Sequence, residues 1–175
     1  MKNNLIYKFS ILFVLFICFF NVNSEELKFE ASSIEIIDKD RIIIANDGVK
    51  ILSGNEITID ADQMRYDKEK KFLKAKGNIV VRNQIENIEI KSDNISYDKK
   101  NEKIISSGNV VVIFENNYTL NTREIIYLRN SKEIIVNYIS KITDKFGNEI
   151  EFEQLNYHAK NKLLKGKKVK LLDFQ

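Results

Sequence analysis

The stretch ITIDADQMRYDKEKKFLKAKGNIVV, residues 57–81, sets the architecture of this chain. Ile57, Ile59 and Ala61 alternate with Thr58, Asp60 and Asp62. A period of two with β-branched residues on one side is the pattern of a half-buried strand. The phase then slips by one, because the next apolar positions are Met64 and Tyr66. Such a slip turns the strand's faces over unless a bulge takes up the extra residue, and a bulge also bends the strand. Asp67-Lys68-Glu69-Lys70-Lys71 follows as a charged turn, where Asp bonds the backbone just ahead of it. Leu73 and Ala75 resume the alternation, Gly77-Asn78 marks another corner, and Ile79 and Val81 lie beyond it.

The same pattern recurs outward in both directions. Residues 88–112 read IEIKSDNISYDKKNEKIISSGNVVV, with Y-D-K and G-N at the same offsets. Tyr66, Tyr97, Tyr127 and Tyr157 are spaced by 31, 30 and 30 residues. A third unit, residues 118–136, keeps the first half and loses the Gly; a fourth covers 148–166 and a degenerate first one 27–49. The phase slip returns at Ser92–Ile95–Tyr97 and at Thr122–Ile125–Tyr127. A fixed period of this length marks a repeat architecture. The expectation is an all-β chain of ten or so short strands in meander order, with solvated charged hairpin tips and no amphipathic helix. Strands with one apolar face must bury it together, in a sandwich, a jelly roll or a stacked solenoid.

Read through the slips, one face collects a continuous apolar strip. The first clear unit contributes Ile57, Ile59, Met64, Tyr66, Leu73, Ile79 and Val81. The second contributes Ile88, Ile90, Ile95, Tyr97, Ile104, Val110 and Val112, and the third Leu120, Ile125, Tyr127 and Ile134. Ile34 and Ile36 extend the strip in one direction, and Phe152, Leu155 and Tyr157 in the other. Pattern alone does not separate a groove from a packed interior.

Composition narrows the function. The chain has 175 residues, 43% hydrophobic and 30% charged, with 28 Lys+Arg against 25 Asp+Glu. Residues 1–24 read as a secretory signal peptide: Lys2 and Lys8, an apolar run from Phe9 to Phe20, and Val22-Asn23-Ser24 as the cleavage site. Residues 25–175 form one domain, left with 26 cations against 25 anions. Near neutrality argues against nucleic acid as a partner. A single Cys (Cys18) and a single His (His158) exclude a Cys/His zinc site and a disulfide framework. No phosphate-binding loop of the G-x-x-x-x-G-K-[ST] kind is present. Asp60/Asp62 and Asp93/Asp98 could pair as carboxylates, but they fall on the polar face or in turns, and His158 follows Tyr157 onto the outer face. The expectation is therefore no enzyme and no cofactor.

The residues Ile59, Ala61, Asp62, Met64, Tyr66, Asp67, Ala75, Gly77, Asn78, Ile79 and Val81 form a unit that resembles the OstA-like repeat of the lipopolysaccharide-transport proteins LptA and the N-terminal domain of LptD. A second copy runs through Ile90, Ser92, Asp93, Ile95, Tyr97, Asp98, Ser106, Gly108, Asn109, Val110 and Val112. The resemblance spans roughly residues 27–172. It implies a curved antiparallel β-jelly roll, open like a taco, whose apolar groove carries the acyl chains of lipopolysaccharide in the periplasm. It also implies end-to-end pairing with other transport proteins through terminal edge strands; here Leu27 to Ala31 and Val169 to Leu172 are the candidate edges. Tyr138-Ile139 stands where a third Gly-Asn would align, so that end departs from the pattern. Two forms remain open, a stand-alone LptA-like protein and the N-terminal region of an LptD-like one. The competing class is a structural or adhesive secreted solenoid of β-coils with a closed core.

Overall fold

A computed structural model describes residues 27–173, apart from Asn55 and Asn116. Fourteen strands form one sheet. They are β1 (Leu27–Glu30), β2 (Ser33–Ile37), β3 (Ile42–Ser53), β4 (Ile57–Asp67), β5 (Phe72–Asn83), β6 (Ile88–Asp98) and β7 (Lys103–Phe114). The rest are β8 (Tyr118–Leu128), β9 (Glu133–Val136), β10 (Ser140–Thr143), β11 (Glu149–Phe152), β12 (Gln154–His158), β13 (Leu163–Lys167) and β14 (Lys170–Asp173). Every pairing between them is antiparallel. The parallel ladders that stacked solenoid coils require are absent from the described residues.

The central strands are longer than the sequence pattern suggests, at 11 or 12 residues each from β3 to β8. The corners do not end them. The register shifts within each pair, between Asn46/Val49, Asp60/Gln63, Lys76/Ile79, Lys91/Asn94 and Ser107/Val110. These bulges line up across the sheet, so it folds along one crease into two facing leaves. The first leaf holds β1, residues 49–53, 57–61, 79–83, 88–92, 110–114 and 118–122, then β10, β11 and β14. The second holds β2, residues 42–46, 63–67, 72–76, 94–98, 103–107 and 124–128, then β9, β12 and β13. Toward both ends the crease widens into a break, which splits β1 from β2, β9 from β10, β11 from β12 and β13 from β14.

The crease has a specific chemistry. Gly77 and Asn78, and Gly108 and Asn109, hold positive φ of 77° and 47°, and 77° and 46°. Left-handed backbone is strained for most residues and tolerated by Gly and Asn. Asn78 Nδ2 donates to Asp62 Oδ2 at 2.9 Å, and Asn109 Nδ2 to Asp93 Oδ2 at 2.9 Å. Each Asp carboxylate lies over the facing glycine, where a Cβ would come within 2.3 Å (Gly77) or 2.6 Å (Gly108) of its Oδ2. In the third unit Arg123 takes the Asp position and lies over the Tyr138 ring, 4.8 Å from its centroid. In the fourth, Lys168 Nζ meets Glu153 Oε2 at 2.6 Å. The clasp thus persists where the motif is lost, with a cation–π contact and then an ion pair replacing the amide–carboxylate bond. Inside the crease the residues are small: Ala45, Ala61, Ala75, Ser92 and Ser106 are all buried.

The interior between the leaves is a single hydrophobic cluster. Phe29 of the first leaf packs on Tyr66 of the second at 5.4 Å between ring centroids, and Phe114 on Tyr157 at 4.6 Å. Among the described residues the fold is a curved antiparallel β-jelly roll, all-β apart from one 3₁₀ turn, Ala159–Asn161.

Candidate lipid groove and its mouth

The strip residues predicted from sequence between Ile57 and Ile134 point between the leaves. Ile57, Ile59, Met64, Leu73, Ile79, Val81, Ile88, Ile90, Ile95, Tyr97, Ile104, Val110, Val112, Leu120, Ile125, Tyr127 and Ile134 are each 3% exposed or less. Tyr66 is half-buried and packs against the same cluster. The strip is therefore a packed interior here rather than an open trough. Ala45, Val49 and Ile51 of β3 belong to it as well. Sequence reading missed them because the first unit is degenerate and its slip falls at Asp47-Gly48, the reverse of the Gly-Asn order.

The interior face runs out into solvent at both ends. Ile34 and Ile36 stand opposite Ala45 and Ile43, yet are 47% and 52% exposed. They lie on the edge strand, where the other leaf no longer covers them. Leu171, opposite Ile150 at the other edge, is 62% exposed. So the apolar surface is continuous with each sheet edge. The edges differ in net charge: Lys28 against Glu30 and Glu35 on β1 and β2, and Lys165, Lys167, Lys168 and Lys170 against Asp173 on or between β13 and β14.

The long side of the fold, opposite the crease, is shut by side chains alone. The tyrosines of the repeat sit at the tips of the second leaf and reach across to the first. Asn83 Nδ2 donates to Tyr127 Oη at 2.9 Å. Tyr157 Oη donates to Glu115 Oε1 at 2.9 Å. Tyr97 Oη donates to Glu102 Oε2 at 2.9 Å, accepts from Arg129 Nη1 at 2.6 Å and lies 3.4 Å from Ser53 Oγ. Burial pushes the Tyr97 phenol up to about 12 and raises Tyr127 and Tyr157 likewise. Ion pairs run beside them. Arg129 bonds Glu102 at 2.6 Å and lies 3.9 Å from Glu56, Lys132 pairs with Glu86, and Lys162 lies 3.4 Å from Glu115. The first leaf supplies one glutamate per hairpin and the second leaf supplies the cations.

Two concavities flank this interior. One, about 460 Å³, lies on the outer face of the second leaf, bordered by Ile44, Gln63, Arg65, Lys74, Lys76 and Asn94 among others. The other, about 560 Å³, opens in the mouth between the first-leaf hairpins at Glu86 and Glu115 and the turn carrying Lys160 and Lys162.

The carboxylates considered for catalysis have structural partners. Asp60 pairs with Arg82, and Asp62 and Asp93 clasp the crease. Asp98 caps its turn through the Lys100 and Asn101 amides, and the Asn101 side chain holds it below the usual carboxylate range. His158 lies on the face opposite buried Tyr157, with Nε2 3.7 Å from Glu133. The expected leader, residues 1–24, lies outside the described residues.

No curated protein matches the sequence. LptH, described as the LptA homologous periplasmic component of the conserved lipopolysaccharide transport device from Pseudomonas aeruginosa, is similar in structure at 10% identity. That match has a TM-score of 0.36 and covers 86% of this chain and 96% of the other. Residues 28–133, more than half of the chain, match the family described as LptA/(LptD N-terminal domain) LPS transport protein. On that match the chain belongs to the LptA/LptD N-terminal domain family of lipopolysaccharide transport proteins.

Proposed function

We propose that this chain is a periplasmic bridge module that carries lipopolysaccharide from the inner toward the outer membrane, without chemistry of its own. Residues 1–24 direct export and are removed, and residues 25–175 form the working domain. The acyl chains lie between the leaves along the strip from Ile57 to Ile134, and the sugars stay outside the mouth. One observation supports this most: the interior is apolar from edge to edge, and its mouth is shut only by side-chain contacts. Opening it breaks three tyrosine contacts, worth about 1 kcal/mol each, and ion pairs worth about 0–1 kcal/mol each. Burying acyl chain returns about 0.8 kcal/mol per methylene. Roughly four to eight methylenes offset the seam, and a lipid with several long chains supplies many more. Edge strands of opposite net charge, each continuous with the apolar interior, suit end-to-end pairing with other transport proteins by strand addition.

The test uses a photoreactive phenylalanine derivative at Tyr66, half-buried on the interior face, and at Lys91 on the outer face. Illumination with lipopolysaccharide should give crosslinks from 66 and not from 91. No crosslink from a folded protein at either position would reject the lipid groove and favour a structural module.

A further inference from the structure

The outer faces of the two leaves treat charge differently. On the first leaf the outward cations Arg82, Lys91 and Lys141 are paired, with Asp60 and Glu89, with Glu89, and with Glu149. On the second leaf Arg65 and Lys74 stand directly opposite each other on β4 and β5, and Lys76 takes the next outward position of β5. All three are exposed, and none makes an ion pair among the described residues. Like charges facing across a ladder repel, so the arrangement costs stability. The carboxylates that would neutralise it are committed elsewhere. Asp62 and Asp93 clasp the crease, and Asp67 and Asp98 hold the amides of their turns. The three cations border the concavity of about 460 Å³. One outward row crosses it from Ile44 through Arg65, Lys74 and Ser96 to Ile105. Beyond Ile105 the same row continues through Ile126 and Ile135, half-buried on the face away from the core. A basic hollow thus leads into an apolar stripe.

We propose that this outer face docks an acidic, partly apolar segment of a partner protein. Its carboxylates enter the hollow and pair with Arg65, Lys74 and Lys76, and its apolar side chains cover Ile105, Ile126 and Ile135. Charge decides the occupant. The cations repel one another until carboxylates arrive, so docking relieves a cost that the free protein carries. The stripe then selects a mixed segment over a simple anion, because covering apolar surface adds to the affinity. From Arg65 on β4 to Ile135 on β9 is five strand spacings, about 24 Å. An extended segment of about seven residues spans that distance. The site lies outside the apolar interior and on neither sheet edge. It therefore stays free to hold its partner while the interior and the edges are occupied, and it does not depend on the groove reading above.

The test measures binding of a fluorescent peptide of about ten residues, spanning the seven-residue reach with a margin, to the purified protein. It has a block of glutamates followed by alternating serine and leucine. One control peptide has glutamine for glutamate, and another has serine for leucine. The parent peptide should bind more tightly than either control. R65Q/K74Q/K76Q should weaken it by up to about fivefold per charge removed. I126S/I135S should weaken it by roughly tenfold, and K91Q, on the first leaf, should leave it unchanged. The charge variant alters exposed side chains only, so it decides the matter even if I126S/I135S does not fold. No binding of the parent peptide, or equal binding to R65Q/K74Q/K76Q, would overturn the site; the second result would point to strand addition at an edge. A leucine-free peptide binding as tightly would show a plain anion site and overturn the mixed partner. Tighter binding to phosphatidylglycerol vesicles, lost in the charge variant, would assign the face to a membrane instead. A dimer in sedimentation that the charge variant dissociates would assign it to a second copy of this chain.

Discussion

Gly77→Ala isolates the crease from everything else in the fold. Gly77 and Gly48 sit at equivalent bulges with φ of 77° and 78°. An alanine at either position enters left-handed backbone, at a cost of about 1–2 kcal/mol. The two sites differ in what the new Cβ meets. At Gly48 nothing lies within 4 Å, whereas at Gly77 the Cβ falls 2.3 Å from Asp62 Oδ2 and 2.9 Å from its Cγ. The Asp62 side chain must then swing away and give up its 2.9 Å bond from Asn78. A lost hydrogen bond of this kind costs about 1 kcal/mol. G48A should therefore destabilise by about 1–2 kcal/mol and G77A by about 2–3 kcal/mol. D62A alone should cost about 1 kcal/mol, and D62A/G77A no more than G77A, because both changes lose the same bond. Urea midpoints at constant slope measure all four variants. Equal loss in G48A and G77A, or full additivity in the double variant, would refute the clasp as a packing constraint.

Two further outcomes follow from the mouth and the edge. Tyr97 has its phenol pKa raised from 10.0 to about 12, chiefly by burial. A group whose pKa is raised on folding contributes stability that is fully present below the unfolded value and lost as pH rises through the folded one. Stability should thus fall between pH 10 and about 12, and Y97F should flatten that fall in pH-dependent urea melts; an identical alkaline slope would refute burial of this phenol. Deleting residues 169–175 removes β14, whose Leu171 is largely exposed. End-to-end association should weaken while the β spectrum and melting cooperativity hold, and unchanged sedimentation would rule this edge out.

Much of this was legible in residues 57–112. The inward alternation, the slip after Ala61 and Ser92, and the Gly-Asn corners carry local backbone requirements, and local requirements survive in sequence. Two readings changed in the fold. Corners taken as strand ends are bulges within continuous strands, because bulges aligned across neighbours let the ladder continue through the crease. Ile34 and Ile36 follow the interior pattern but are exposed, since burial at an edge strand depends on the opposite leaf reaching that far.

The replacement of the Asp–Asn clasp by Arg123–Tyr138 and then Glu153–Lys168 had no motif to announce it. Its partners lie 15 residues apart and share only geometry, with Tyr138, Glu153 and Lys168 in the breaks between strands. The seam is the same case over longer distances: Tyr127 meets Asn83, and Lys132 meets Glu86, 44 and 46 residues away. Sequence alone determined which side of the strands over residues 57–112 is apolar and where their phase slips, because both are set by neighbouring residues. Only the tertiary structure decided that the apolar side is packed shut and what holds the mouth closed. Those contacts form between hairpins brought together by the crease, and chain spacing carries no record of them.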